Sequence, residues 1–466
     1  MVSKNSFKGA DALRDYLNPT NGEFSPLIEL PESLNPFAKY NVHLHAKMLS
    51  ALPLGNVKSL PAYAMLANRK PDGKTKIIES SSGNTVASLG VLAPYFGFKE
   101  VNAFVSHETT RGKLKMLKLF GVKLIVNREP ICPSEHDLTS GIHKARQKGQ
   151  DAEWYNPGQY DNPDNIAAHY QVTGPQIWQQ TEGQIDYFCA GLGTTGTMIG
   201  TAQYLKEQSP AIQMVGVVRS PNNPVPGPRT RNLLDDISFE WQKSCDALVD
   251  VGTFVSYELS LKMIRAGLMA GPSSGLNLAG VYKFIQKKID EGDFVEGQHD
   301  VHVVFPCCDT PFPYMDEYFK VLSADHFPRV ENAHLLQFAD HSKAAAPLSD
   351  SAVTAQELYQ LIRTEDPVNR VIDLRNAEQF SHYHIPGSIN IPENDFITHV
   401  NSFAELYKHD VLYFVCDFGG RSFEVCRYAQ AKNLTAVNLE GGLTAWSEQN
   451  LPRVRDEKCV LRYQLA

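Results

Sequence analysis

Five short segments of the chain hold residue types that do chemistry. Lys58 lies in Gly55-Asn-Val-Lys-Ser59, just ahead of a helical run over 60–68. Near a helix N-terminus and among apolar neighbours, the ammonium form of an amine is disfavoured by the dipole and by desolvation. The free amine can then attack a carbonyl. Taken alone, such a lysine is usually an ordinary surface residue. Ser80-Ser-Ser-Gly-Asn-Thr85 opens a helical run over 86–93; its amides and hydroxyls can hold an anion or simply cap the helix. Gly191-Leu-Gly-Thr-Thr-Gly-Thr197 joins a strand-like run to a helix starting near Met198. Its glycines permit close approach, and free helix-end amides with threonine hydroxyls can hold a phosphate. It has neither the lysine of a Walker loop nor the G-x-G-x-x-G spacing. Gly271-Pro-Ser-Ser-Gly275 opens the run 276–287; a neutral serine there can hydrogen-bond a ring nitrogen without protonating it, or cap the helix. Val415-Cys-Asp-Phe-Gly-Gly-Arg-Ser422 follows a strand and precedes a helix. A loop of this kind turns its amides inward as an anion nest. Cys416 at its mouth, with Arg421 nearby, suits a thiolate nucleophile for sulfur or phosphorus.

These loops need strands that end where they begin. Runs at 102–105, 122–126, 185–190, 214–218 and 301–305 read as strands, and 113–120 and 198–208 as amphipathic helices. Alternation of this kind predicts an α/β fold with buried, mostly parallel sheets. The pattern recurs at smaller scale near the C-terminus, with strands at 371–374, 411–415 and 436–439 and helices at 355–363 and 422–432. Between the two lies Asp340-His-Ser-Lys-Ala-Ala-Ala-Pro-Leu-Ser-Asp-Ser351, a short polar stretch suited to an exposed linker. The expected domains are therefore 1–338, in two lobes, a linker at 339–350, and 351–466.

Composition narrows the function classes. A chain of 466 residues suggests about three domains' worth of core. Hydrophobic residues at 42% and charged residues at 21% are those of a globular protein. A net charge of −8, without a long Lys/Arg run, argues against a nucleic-acid groove. No window approaches the ~20 apolar residues of a membrane helix, and the first residues do not read as a signal peptide. Eight cysteines form no disulfide framework, and adjacent Cys307 and Cys308 lack zinc-type spacing, so no metal is expected. A reducing, cytoplasmic setting is the simple expectation.

In this order, the first four segments resemble the cysteine synthase/cystathionine β-synthase family, fold type II pyridoxal-phosphate enzymes. The resemblance runs from about Asn35 to Phe319. It is carried by His45-Ala-Lys to Asn56-Val-Lys58, Ser81-Ser-Gly-Asn-Thr85, His107-Glu-Thr-Thr to Lys118-Leu-Phe-Gly121, Gln159-Tyr-Asp-Asn-Pro163, Thr173-Gly-Pro-Gln-Ile-Trp178, the 193–197 loop and Ser273-Ser-Gly275. It implies that Lys58 holds the cofactor as a Schiff base and shuttles the Cα proton. Asn84 would hydrogen-bond the ring hydroxyl. Gly193, Thr194, Thr195, Gly196 and Thr197 would bind the phosphate, and Ser273 would face the ring nitrogen. Ser81, Ser82, Thr85 and Gln159 would hold the amino-acid carboxylate. The implied reaction is β-replacement on serine or an O-activated serine, giving cysteine or a related thio-amino acid, in a homodimer. A cysteine or serine lyase is the first alternative, and a persulfide carrier or sensor the second. The chain departs from the family at Pro224-Val-Pro-Gly-Pro-Arg-Thr-Arg231, where a Gly-rich closing segment is usual. It also departs at Thr195, at Pro272, and at Pro306-Cys-Cys-Asp309. For Cys307 and Cys308 a buried strand end is the plain expectation.

From Ser351 to Arg453 the chain resembles rhodanese. The residues are Val371-Ile-Asp-Leu-Arg375, Glu378 and Phe380, His384-Ile-Pro-Gly-Ser388, the Cys416 loop and Glu440-Gly-Gly-Leu-Thr-Ala-Trp446. Four residues separate Cys416 from Arg421, the sulfurtransferase loop size. The resemblance implies a persulfide on Cys416, cradled by the amides of 417–422, with Arg421 as its catalytic companion.

Overall fold

The computed structural model describes residues 6–69, 72–329, 331, 352–364 and 368–455. The chain forms two compact units, Met1–Pro328 and Arg329–Ala466. The expected linker at 339–350 lies outside the described residues, as does 456–466 of the tail.

The first unit contains strands β1 (Leu27–Glu29), β2 (Val42–Met48), β3 (Lys76–Ser80), β4 (Glu100–Ser106), β5 (Lys123–Asn127) and β6 (Trp154–Tyr155). These are followed by β7 (Tyr187–Gly191), β8 (Gln213–Arg219), β9 (Ala247–Val251) and β10 (Val301–Cys307). One sheet has the order β1-β2-β10-β7-β8-β9 and the other β5-β4-β3-β6. Every pairing is parallel except β1 with β2, an antiparallel edge. The large sheet is apolar on both faces because helices cover both. Leu44, Val215, Leu276 and Phe305 pack on one side, and Phe188, Met198, Met214 and Trp241 on the other. The small sheet packs through Ile77, Val86, Leu89, Val101 and Leu117.

Helix starts place the functional loops, and two differ from the sequence expectation. The helix after β3 spans Asn84–Leu92, so Asn84 and Thr85 stand in its first turn rather than before it. The helix expected from 276 spans Pro272–Asp290. Proline at the first helical position costs no hydrogen bond and pre-sets φ, so the helix begins there and carries Ser273 in its first turn.

The second unit is a parallel five-stranded sheet. Its strands are β11 (Ala352–Val353), β12 (Asn369–Asp373), β13 (Ile389–Asn390), β14 (Val411–Val415) and β15 (Thr435–Leu439), in the order β11-β15-β14-β12-β13. Leu412, Phe414 and Val425 lie in one core, and Val415, Leu443 and Trp446 in the other. β14 runs straight into the Cys416 loop and then into the helix Gly420–Gln430.

Candidate active sites

Lys58 is held by its neighbours before its side chain acts. Asn56 Oδ1 accepts the Lys58 backbone N–H at 3.0 Å and the Ser88 hydroxyl at 3.1 Å. The Val57 N–H donates to Cys308 O at 2.7 Å, tying this turn to the end of β10. The helix Ser59–Ala67 begins immediately afterwards. Lys58 Nζ reaches across and donates to Thr194 Oγ1 at 3.0 Å. Desolvation lowers its pKa to about 8, with the nearby Cys308 thiol opposing the shift. A substantial fraction of neutral amine at pH 7–8 follows, as a carbonyl nucleophile requires.

A cavity of about 440 Å³ surrounds this amine. Its walls bring together Lys58, Ser81, Ser82, Asn84, Thr85, Gln159, Gly193, Thr194, Thr195, Thr197 and Ser273. Of the expected residues only Gly196 lies outside this lining; it opens the helix Gly196–Gln208 directly behind the loop. Side chains are excluded at two of these glycines. A Cβ on Gly193 would meet Gly227 O at 2.8 Å, and one on Gly196 would collide with the Asn165 amide. Between them Thr195 takes a left-handed φ of 67°, costly for a β-branched residue. Its Oγ1 is buried without a hydrogen-bond partner.

That orphaned hydroxyl, beside the free amides of a helix N-terminus, fits a phosphate group. The Lys58 amine in the same cavity fits an aldehyde. The residues present therefore suit pyridoxal phosphate.

The residues proposed as a carboxylate cradle are tied to one another and to the backbone. Thr85 Oγ1 donates to Gln159 Oε1 at 2.6 Å, and Gln159 Nε2 donates to Ser80 O at 3.0 Å. Glu79, which sequence reading missed, holds this corner from behind. Its carboxylate accepts the N–H groups of Ser80 at 2.8 Å, Gly158 at 2.9 Å and Gln159 at 3.3 Å. Burial raises its pKa to about 7, against the pull of those donors. Asp309 is the second omission. Its Oδ2 accepts Asn84 Nδ2 at 2.7 Å and the Tyr314 hydroxyl at 2.6 Å, fixing the Asn84 amide. The only sequence signal was the departure at Pro306-Cys-Cys-Asp309.

The Pro224–Arg229 segment forms another wall. Arg229, 2% exposed, anchors it by donating to Pro133 O at 3.1 Å and lying over the Tyr160 ring. Cys307 is the buried end of β10, as expected, and Cys308 faces the cavity. Burial raises both thiols, Cys308 to about 12, so both stay protonated at neutral pH.

In the second unit Cys416 Sγ accepts the N–H groups of Gly419 at 3.2 Å and Ser422 at 3.4 Å, and meets Ser422 Oγ at 3.2 Å. The inward-turned amides expected of the loop are therefore present. Asp373 and Arg375 form a buried ion pair at 2.8 Å.

Residues 21–306 match the family described as "Pyridoxal-phosphate dependent enzyme". The chain belongs to that family. Its cofactor is pyridoxal phosphate. Residues 354–449 match the rhodanese-like domain. This pyridoxal-phosphate enzyme is 32% identical over 239 residues to "Cysteine synthase B" of Pseudomonas aeruginosa, covering 50% of the chain and 77% of the relative. It is 31% identical over 264 residues to "Cysteine synthase" of Staphylococcus aureus, covering 53% and 82%. Among solved structures, the cysteine synthase of Entamoeba histolytica superposes with a TM-score of 0.56 at 22% identity, covering 69% of this chain and 94% of that one; this likeness concerns the fold. The chain is thus a cysteine synthase-like pyridoxal-phosphate enzyme with a C-terminal rhodanese-like domain. No helix among the described residues is long and apolar enough to cross a membrane.

Proposed function

We propose that this enzyme performs β-replacement on serine or an O-activated serine, making cysteine or a related thio-amino acid, coupled to rhodanese-type sulfur transfer at Cys416. The observation that carries this reading is the Lys58 amine at 3.0 Å from Thr194, in one cavity with the Ser81–Thr85–Gln159 cradle. When bound, pyridoxal phosphate supplies an electron sink at the substrate Cα. The protein does the rest. Thr194, Thr195, Thr197 and the amides of Gly193 and Gly196 hold the phosphate, Asn84 the ring hydroxyl and Ser273 the ring nitrogen. Ser81, Ser82, Thr85 and Gln159 clamp the substrate carboxylate, placing its Cα over Lys58. The Lys58 amine then takes the Cα proton and returns it at the end. A leaving group departs from Cβ, and a sulfur nucleophile replaces it there.

A neutral serine such as Ser273 would hydrogen-bond the ring nitrogen without protonating it, which would favour loss from Cβ over transamination. The proposed domains are 1–338 and 351–466 joined by a linker at 339–350, assembling as a homodimer. The cysteines of the described residues are free thiols, which suits a reducing, cytoplasmic setting.

Product analysis with and without added sulfide tests this reading. With an O-activated serine and sulfide, the expected product is cysteine, with keto acid and ammonia forming only a minor share. Equal keto acid and ammonia release with and without sulfide, and no cysteine, would make the enzyme a lyase instead.

A further inference from the structure

If Cys416 carries sulfur, its loop must admit a donor, and the charges at the loop mouth restrict which one. Arg421 is the guanidinium expected to attract an anion, but carboxylates flank it. It stands 3.5 Å from Asp417 and 3.8 Å from Glu393. Arg375 also reaches Asp417, at 3.5 Å, yet it is 2% exposed and committed to Asp373 by bonds of 2.8 to 3.2 Å. Gln379 Nε2 adds a neutral donor to Asp417 at 3.3 Å. Two carboxylates therefore face one available guanidinium. Phe418, on the same loop, is 52% exposed.

An inorganic donor such as thiosulfate is a dianion and releases a second dianion, sulfite, beside Cys416. Both charges would stand next to Asp417 and Glu393, and Arg421 is already shared between those two. An organic hydropersulfide carries at most one negative charge at its reacting end, and its carbon skeleton can pack on Phe418. Resting on the reading of Cys416 as a sulfur carrier, we infer that this loop takes sulfane sulfur from organic hydropersulfides in preference to inorganic dianions. The Cys416 thiolate attacks the outer sulfur of R–S–SH, forming a new S–S bond. The bond from that sulfur to R–S breaks, and R–S⁻ leaves with the electron pair. The transferred sulfur keeps its proton, so the step needs no external oxidant or reductant.

The test uses the full-length chain, with thiosulfate and benzyl hydropersulfide generated in situ as probes. The readout is the rate at which the Cys416 peptide gains the mass of one sulfur atom. Asp417→Asn and Glu393→Gln are each expected to raise the thiosulfate rate about tenfold, by removing a like charge close to a dianion. Glu393→Gln, whose side chain reaches the loop through Arg421 at 3.8 Å, should leave the hydropersulfide rate within about twofold. It serves as the second variant should Asp417→Asn disturb the loop. An unchanged thiosulfate rate in Glu393→Gln, or wild-type loading by thiosulfate as fast as by hydropersulfide, overturns the donor preference and leaves Cys416 a sulfur carrier. Failure of both donors to load Cys416 removes the carrier reading and this inference with it.

Discussion

Lys58→Ala is expected to lose the visible absorbance of lysine-bound pyridoxal phosphate at neutral pH, and with it turnover on any β-substituted alanine. The drop should be at least about 10⁴-fold, because proton transfer by a positioned base alone contributes about 10²–10⁴-fold and covalent anchoring goes as well. Lys320 also lines the cavity but is exposed; among the described residues two other buried lysines could in principle substitute, and the structure argues against both. Lys47 is buried on strand β2 of the large sheet, where its ammonium donates to Ser25 O at 2.6 Å and to Gln176 and Gln180 at 2.7 Å. Lys113 lines the cavity, but its ammonium lies over the Tyr314 ring, away from the threonine loop that Lys58 touches. Absorbance spectra of the purified variant, with added pyridoxal phosphate, check the first effect; amino-acid turnover checks the second. Retained absorbance in Lys58→Ala would mean that another lysine is the anchor.

The second large effect concerns Cys416. Cys416→Ser is expected to abolish sulfur loading of the second domain, because the hydroxyl cannot carry sulfane sulfur and the Gly419 and Ser422 amides then have no sulfur to hold. If sulfur passes from Cys416 to the amino-acid site, this variant should also incorporate sulfur from a sulfane donor more slowly than the intact chain. Tethering two sites in one chain keeps their mutual concentration in the range of about a millimolar. An equimolar mixture of separated domains at low concentration should therefore be slower too. Equal rates for the intact chain, the variant and the mixture would leave the two activities merely co-expressed.

Much of this arrangement was legible in the sequence because the informative residues were local. A strand, a short glycine- and threonine-rich loop and a helix follow one another at 187–208, and the same grammar recurs at 411–430. Central strands β2 and β3 were harder to see. Three polar residues, His43, His45 and Lys47, interrupt β2, and Lys47 is tolerated inside only because carbonyl oxygens from Ser25, Gln176 and Gln180 surround it. β3 offers only Ile77 and Ile78 between polar ends, one of which is the buried Glu79. Asp309 and Glu79 escaped for a different reason. Asp309 meets Asn84 from 225 positions away, and Glu79 meets Gln159 from 80. No local pattern announces such a contact; only the packed fold brings the partners together. Thr195 shows the converse, since it looked like a mild departure in sequence and proves to hold a strained left-handed turn at the centre of the proposed phosphate cradle.

The covalent anchor of the cofactor is the point on which every role proposed in the first unit depends. Borohydride reduction of the holoenzyme, followed by mass mapping of its peptides, reads that anchor directly. The expected result is a single phosphopyridoxyl group on the peptide containing Lys58, absent from Lys58→Ala. A phosphopyridoxyl group on the Lys47 or Lys113 peptide, or on none, would contradict it.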